Sequence, residues 1–253
     1  MMGKVIEFGR RDQFKPPEGF WRQEYLLFPS VYHSDIDDLP FDHTIPAGAE
    51  ITLHPGNAAH LLVNEQLLRV LALSPRELRE AVFVTPQKIL RFKYAYGCLN
   101  NNLSFINFLK KISFYVDTLQ TVVLDNLGMC CWFPEQWLEI IDRSQFDLRN
   151  HLTIHTIPER KPNRYWIHTH GMVQFACPDL EVRMVSQEGR RPTLQLMSRL
   201  IHYQFQNGPV FKEGCRVAIA KGWCWATFKH YRELSCENHY QNNYFRVLIG
   251  IKK

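Results

Sequence analysis

The 253-residue sequence lacks several patterns that would assign a function directly. No C-x-x-C pair occurs among its seven cysteines, so neither a zinc ribbon nor a disulfide framework is predicted. No P-loop and no G-x-G-x-x-G motif is present, which removes the common nucleotide-binding signatures. No apolar run reaches the roughly 18 residues that a membrane-spanning helix needs. The first residues carry no signal-peptide core. These absences predict a cytoplasmic protein without a membrane partner, or an effector delivered without a cleavable signal peptide.

The charge balance further narrows the range of partners. Thirty Lys and Arg residues against 25 Asp and Glu residues give a net charge of +5, and the basic residues occur as isolated pairs rather than runs. This pattern disfavours nucleic acid as a partner. Aromatic residues make up 13% of the chain, which predicts a folded protein with a substantial core.

The spacing of the apolar residues changes along the chain. Apolar residues recur at helical spacing in residues 58–73 and 101–119, whereas short apolar or alternating segments follow from residue 120 onward. Ser74 and Thr193 each precede such a helical period and are predicted N-caps.

This order of patterns predicts an α+β protein, with a helical N-terminal half packed on a largely antiparallel sheet from the C-terminal half. The absence of a Gly/Ser-rich linker favours a single domain over residues 1–253. A soft boundary near residue 120 would separate a helical part, 1–119, from a sheet-rich part, 120–253.

Two segments with matched alternation predict a β-hairpin. Residues 151–157 read HLTIHTI, residues 164–170 read RYWIHTH, and the six residues between them are rich in turn formers. A symmetric pairing would set His151 opposite His170 and His155 opposite Trp166. Four histidines would then share one face of the hairpin: His151, His155, His168 and His170.

Such a face has the composition of a metal site. Two histidines two residues apart on a strand point the same way, so His168 and His170 can bind one zinc ion. The third ligand is predicted to be His151 or a carboxylate, either Asp179 or Glu181. The alternative is that these histidines make ordinary cross-strand contacts, in which case no cofactor is expected.

The same segment supplies candidates for catalysis. Glu181 and Asp179 are carboxylates suited to acid or base roles, and Cys177 is a candidate nucleophile beside the histidine pair.

The segment WIHTHGMVQFACPDLE, residues 166–181, partly resembles the motif of the JAMM/MPN⁺ metalloproteases. That motif is H-x-H-P followed by Ser and Asp, and His168, His170 and Glu181 match its two histidines and its carboxylate position. The resemblance implies a zinc-dependent isopeptidase site. The sequence departs from the motif at Gly171 and Pro178, which stand at the Pro and Ser positions, and no catalytic glutamate matches upstream.

A longer segment, from Thr121 to Val185, is similar to uncharacterised bacterial domain families. Their order is D-x-x-G, a Trp, W-[IL]-H-T-H-G and P-[DE]-L-E. This resemblance implies a bacterial-type intracellular protein. It does not indicate an activity, because these families are uncharacterised.

With no complete catalytic set, the sequence favours a protein-binding role, as an immunity, adaptor or regulatory module with a protein partner. The alternative is a metal-dependent hydrolase that uses the His168/His170 pair.

Overall fold

The computed structural model describes most of the chain and divides it into two compact units. The first unit contains the described residues from 21 to 151, and the second contains those from 152 to 251. The described ranges are 21–29, 49–63, 67–68, 71, 74–84, 88–95, 102–142, 147–175, 177–207, 215–218, 223–229 and 246–251.

The first unit is built on a five-stranded antiparallel sheet. Its strands lie in the order β2-β3-β1-β4-β5. They are β1 (Trp21–Phe28), β2 (Ala49–Pro55), β3 (Lys88–Ala95), β4 (Val122–Asp125) and β5 (Cys130–Trp132).

Helices accompany this sheet along the chain: α1 (Ala59–Leu62), α2 (Arg76–Phe83), α3 (Asn102–Leu119) and α4 (Pro134–Asp142). The rings of Phe108 on α3 and Trp137 on α4 both contact Tyr25 of β1. The Trp137 indole N–H donates to the Ser113 hydroxyl of α3 at 2.9 Å, which ties the two helices together. An aliphatic cluster that includes Leu26 and Leu124 packs with residues of α1 and α2.

The prediction of a helical N-terminal half is wrong, because strands β1 to β3 form the larger part of the first sheet. The segment KILRFKYA of β3 alternates two kinds of residue: Leu90, Phe92 and Tyr94 are buried, while Arg91 and Lys93 are half-buried. That period of two is the signature of a strand with one face in the core. The coarser prediction, an α+β protein, is confirmed.

The two predicted helix caps are also displaced. Helix α2 begins at Arg76, so its N-cap is Pro75, which makes no side-chain cap bond. The helix that contains Thr193 begins at Arg190, so Thr193 lies inside its first turn, and its N–H donates to the Gly189 carbonyl. Before the second of these helices, the Gly189 N–H donates to the carbonyl and the hydroxyl of Ser186, so a turn at Ser186 leads into the helix.

The second unit is built on a six-stranded sheet with the order β6-β7-β8-β11-β10-β9. Its strands are β6 (Thr153–Pro158), β7 (Arg164–His170), β8 (Asp179–Ser186), β9 (Cys215–Ala218), β10 (Trp223–Lys229) and β11 (Arg246–Ile251). Only the β8–β11 pair is parallel among these described strands.

Helix α5 (Arg190–Asn207) packs against β7 and β8. The Arg190 guanidinium lies over the Tyr165 ring at 4.5 Å, so α5 covers the sheet face that carries Tyr165 and Ile167. The other face of β7, with Trp166, His168 and His170, is left for the site described below. Within the described part of the chain, no helix is both long and apolar enough to cross a bilayer.

A buried carboxylate shapes the turn between β4 and β5. One oxygen of Asp125 accepts the N–H of Leu127 at 2.9 Å and the N–H of Gly128 at 2.7 Å. Asp125 is fully buried, so these two donors have no water to replace the carboxylate.

We expect Asp125→Ala to lower the free energy of unfolding by about 1–3 kcal/mol, because it leaves two buried N–H groups without their acceptor. Asp125→Asn keeps an amide oxygen at the same place and should lose less. Urea denaturation with an unchanged slope would measure this. Equal losses in the two variants would show that the charge, rather than the acceptor, matters.

Candidate metal centre

The predicted hairpin exists, with β6 and β7 paired antiparallel. The predicted register is wrong by two residues. His155 pairs with His168 rather than with Trp166, and His170 pairs with Thr153 rather than with His151. Because the shift is even, His155, His168 and His170 keep their predicted face while their cross-strand neighbours change.

Pro158 explains the shift. It was assigned to the turn, but it is the last residue of β6 and pairs with Tyr165. A proline has no N–H for the ladder and is tolerated where the strand lies at an edge, as β6 does in the described sheet. The reversal then falls later, where the Arg164 N–H donates to the Lys161 carbonyl and Asn163 adopts a φ of 54°.

Three histidines converge on the face of this hairpin opposite α5. One ring nitrogen each from His155, His168 and His170 lies within 4.8 Å of the other two. His168 and His170 come from alternate positions of β7, and His155 comes from the facing position of β6.

The closest two rings have the spacing of ligands on one ion. The Nε2 atoms of His168 and His170 are 3.0 Å apart. Two nitrogens bound tetrahedrally to zinc at the usual bond length would be about 3.3 Å apart. Two bare lone pairs repel at such a distance, so a proton or a cation must lie between the two nitrogens.

The three rings differ in burial. His168 and His170 are each 2% exposed, whereas His155 on the edge strand is half-buried. Burial lowers the pKa of His155, which favours the neutral ring that a metal requires. The site is therefore enclosed at β7 and most open on the side of β6.

Glu181 lies on the same face, since it pairs with His168 across β7 and β8. Its carboxylate accepts the Trp166 indole N–H at 2.9 Å and lies 3.5 Å from the Arg183 guanidinium. It is 1% exposed, and it neighbours the three-histidine group without joining it. Its predicted catalytic role stays a prediction.

Asp179 and Cys177, the other two candidates, make structural contacts. The Asp179 carboxylate accepts the Thr169 hydroxyl at 2.9 Å, and this hydroxyl in turn accepts the Leu180 N–H at 2.9 Å. The Cys177 thiol is buried and donates to the carbonyls of Phe175 and Gln204. Both groups hold the loop between β7 and β8, and neither belongs to the histidine group.

His151, the predicted third ligand, is not on the hairpin. It ends the 3₁₀ turn Leu148–His151 in the first unit, where its ring packs edge-on against Phe105 at 4.9 Å between centroids and lies near Trp132. In the structure, the third histidine of the group is His155 rather than His151, and its place follows from the observed register of β6 and β7.

Trp166 and Arg183 are the residues that sequence reasoning missed. The Trp166 ring stacks on His168 at 3.8 Å between centroids with 23° between the planes, and the Arg183 guanidinium lies 3.8 Å from the Trp166 ring centroid. The alternation of β7 does place Trp166 on the histidine face. Arg183 is two residues after Glu181 in β8, so the alternation of that strand places it on the face of Glu181.

Gly171, just after the histidine pair, has a φ of 96°. Proline is fixed near −65°, so the turn after His170 is one that the proline of the H-x-H-P motif cannot form. The backbone therefore leaves β7 differently from a chain with proline at that position.

Comparisons of the chain with protein-family models, with curated proteins and with solved structures gave no match in any of the three.

The buried position of His151 predicts a pH effect on stability. Burial lowers the pKa of His151 from 6.5 to about 3, so on acidification the unfolded chain binds a proton that the folded chain excludes. The resulting stability is complete above the unfolded value and is lost as the pH falls from 6.5 toward 3. At about pH 5 the loss should be about 2 kcal/mol.

Urea denaturation of the wild type and His151→Leu between about pH 5 and pH 7.5 tests this. The wild type should lose stability more steeply than the variant as the pH falls. Parallel profiles would contradict the assignment of His151 as a neutral core residue.

Proposed function

We propose that this protein binds a divalent transition metal through His155, His168 and His170 and uses it for hydrolysis. The observation that carries the proposal is the convergence of three imidazole nitrogens within 4.8 Å on one sheet face. This is the metal-dependent alternative expected from the sequence, with His155 as the third ligand.

The ligand type favours zinc. Neutral imidazole suits Zn²⁺, Cu²⁺, Ni²⁺ and Fe²⁺, whereas Mg²⁺ and Ca²⁺ prefer oxygen ligands. No thiolate joins the group among the residues that the structure describes, so a structural cysteine-type zinc site is not supported there.

The number of ligands favours catalysis over a structural role. Structural zinc is usually closed by four protein ligands, while catalytic zinc has three and keeps a position for water or substrate. The described part of the chain offers three ligands in this group. A bound zinc ion lowers the pKa of its water to about 7 and so supplies a hydroxide nucleophile at neutral pH.

The half-buried edge at His155 gives the direction of access. His168 and His170 are enclosed, so a substrate must approach past β6. That approach favours small or extended substrates over bulky ones. The protein-binding role expected from the sequence stays a prediction, since no contact of the described residues identifies a partner.

Metal binding can be tested on untagged protein. We expect one equivalent of Zn²⁺ per chain, and we expect His155→Ala, His168→Ala and His170→Ala each to weaken binding more than about 100-fold, since loss of an outer partner alone costs 10–100-fold. His202→Ala, which removes an exposed histidine from α5, is the matched control. Unchanged affinity in the three variants would remove the site.

Hydrolysis requires a separate measurement. The zinc-loaded protein should hydrolyse 4-nitrophenyl acetate to acetate and 4-nitrophenol faster than the chelated protein, and added zinc should restore the rate. His168→Ala should abolish the zinc-dependent part. Stoichiometric zinc without any such rate would leave a metal site and overturn the hydrolase.

A further inference from the structure

We propose that Trp166 is the positioning residue of the metal centre and holds the His168 ring in the plane needed for binding. Glu181 and Arg183 would act on the metal through Trp166 rather than as ligands. This inference rests on the proposed metal site, and it assigns a role to three residues that donate no atom to the histidine group.

The contact between Trp166 and His168 differs from the other ring contacts of the site. These two rings are nearly parallel and 3.8 Å apart between centroids. His168 meets His170 edge-on at 77°, and its contact with His155 is tilted at a longer 5.5 Å. The flat indole therefore restricts rotation of His168 about its side-chain bonds, while the His168 Nε2 atom faces the His170 Nε2 atom at 3.0 Å.

Trp166 is itself held by two groups of β8. Its indole N–H donates to the Glu181 carboxylate at 2.9 Å, and the Arg183 guanidinium lies 3.8 Å from its ring centroid. Arg183 and Glu181 are 3.5 Å apart, so the carboxylate links the two contacts. A cation over an indole and a charge-assisted hydrogen bond both favour one orientation of the ring.

Arg183 lies on the same face as Glu181 because the two are alternate residues of β8, and a β-bulge follows at this point of the strand. Ile167 pairs with Val182 and Tyr165 with Val185, so Arg183 and Met184 together oppose the single residue Trp166. Met184 has a φ of 59°, and its N–H donates to the Glu159 carboxylate of the hairpin loop at 2.8 Å. Bulges of this kind redirect side chains and are common beside functional sites.

The stack on Trp166 should lower the conformational entropy that His168 loses when a metal binds. A histidine that is already held in its binding orientation loses little rotational freedom when the metal arrives. Outer partners that orient metal-binding histidines usually accept a hydrogen bond from the second ring N–H, and their loss weakens metal binding 10–100-fold. Here a stacked ring would serve the same purpose, so affinity should depend on the flat shape of residue 166.

The test compares flat and non-flat residues at this position with Co²⁺ as the probe. We expect Trp166→Leu to weaken Co²⁺ binding about 10–100-fold and to alter the Co²⁺ absorption spectrum. Trp166→Phe, which keeps a stacking ring, should recover most of the affinity and the wild-type spectrum. Tyr165→Leu is the matched control, because it removes an arginine-stacked ring from the opposite face of the same strand.

A milder pair of variants keeps the test valid if Trp166→Leu does not fold. Arg183 is 41% exposed in its side chain, and Arg183→Lys retains the charge while removing the planar contact with Trp166. It should weaken Co²⁺ binding several-fold. Arg190→Lys, the same change over Tyr165, should have no effect.

The outcomes separate the two proposals. A wild-type protein that binds no Co²⁺ would overturn the metal site itself. A wild-type protein that binds Co²⁺, with Trp166→Leu matching Tyr165→Leu and Arg183→Lys matching Arg190→Lys in affinity and spectrum, would overturn only the positioning role.

Discussion

The pairing of His155 with His168 across β6 and β7 is the constraint on which the candidate site depends. A slip of one residue would turn His155 to the α5 side of the sheet, and a slip of two would put Trp166 opposite it. In the observed register, two neighbouring strands supply all three imidazoles, because H-x-H already aligns two of them. The third imidazole, that of His155, needs no further strand or helix, because the pairing of β6 with β7 already places it beside His168.

Glu159 in the hairpin loop makes hydrogen bonds to both β7 and β8. The Glu159 N–H donates to the Arg164 carbonyl and so closes the β6–β7 pair, while the Glu159 carboxylate accepts the Met184 N–H of β8. One residue thus contributes both to the pairing that aligns His155 and to the bulge at Met184, the residue after Arg183. The loop between β7 and β8 is held separately, through Thr169 and Asp179. Both ends of β7 are therefore restrained, and the histidines lie between them.

The sequence predicts those features that depend on neighbours along the chain. The strands of the hairpin and the shared face of His168 and His170 follow from a period of two, which is a property of any strand. The third ligand depends on which residues of β6 face them, and Pro158 reads as a turn residue unless its strand is known to lie at an edge. Strand β3 differs, because the alternation of Leu90, Phe92 and Tyr94 with Arg91 and Lys93 is a local signal that the prediction of a helical N-terminal half did not use. The stack of Arg183 on Trp166 depends on the pairing of β7 with β8, which puts Arg183 opposite Trp166 and which no local pattern encodes.

The distribution of polar groups on β7 bears on whether the histidines are there for folding or for function. Ile167 and Tyr165, on the α5 side, provide the packing that a two-layer arrangement of helix and sheet needs. The opposite face buries two imidazoles and a carboxylate, and polar groups taken out of water cost free energy unless each is well paired. Aliphatic residues at these positions would cover a sheet face at lower cost. The convergence of three nitrogens on this face is what the proposed metal-binding role would require of it. A divalent cation bound by all three imidazoles would replace the contact between the His168 and His170 nitrogens with three coordinate bonds.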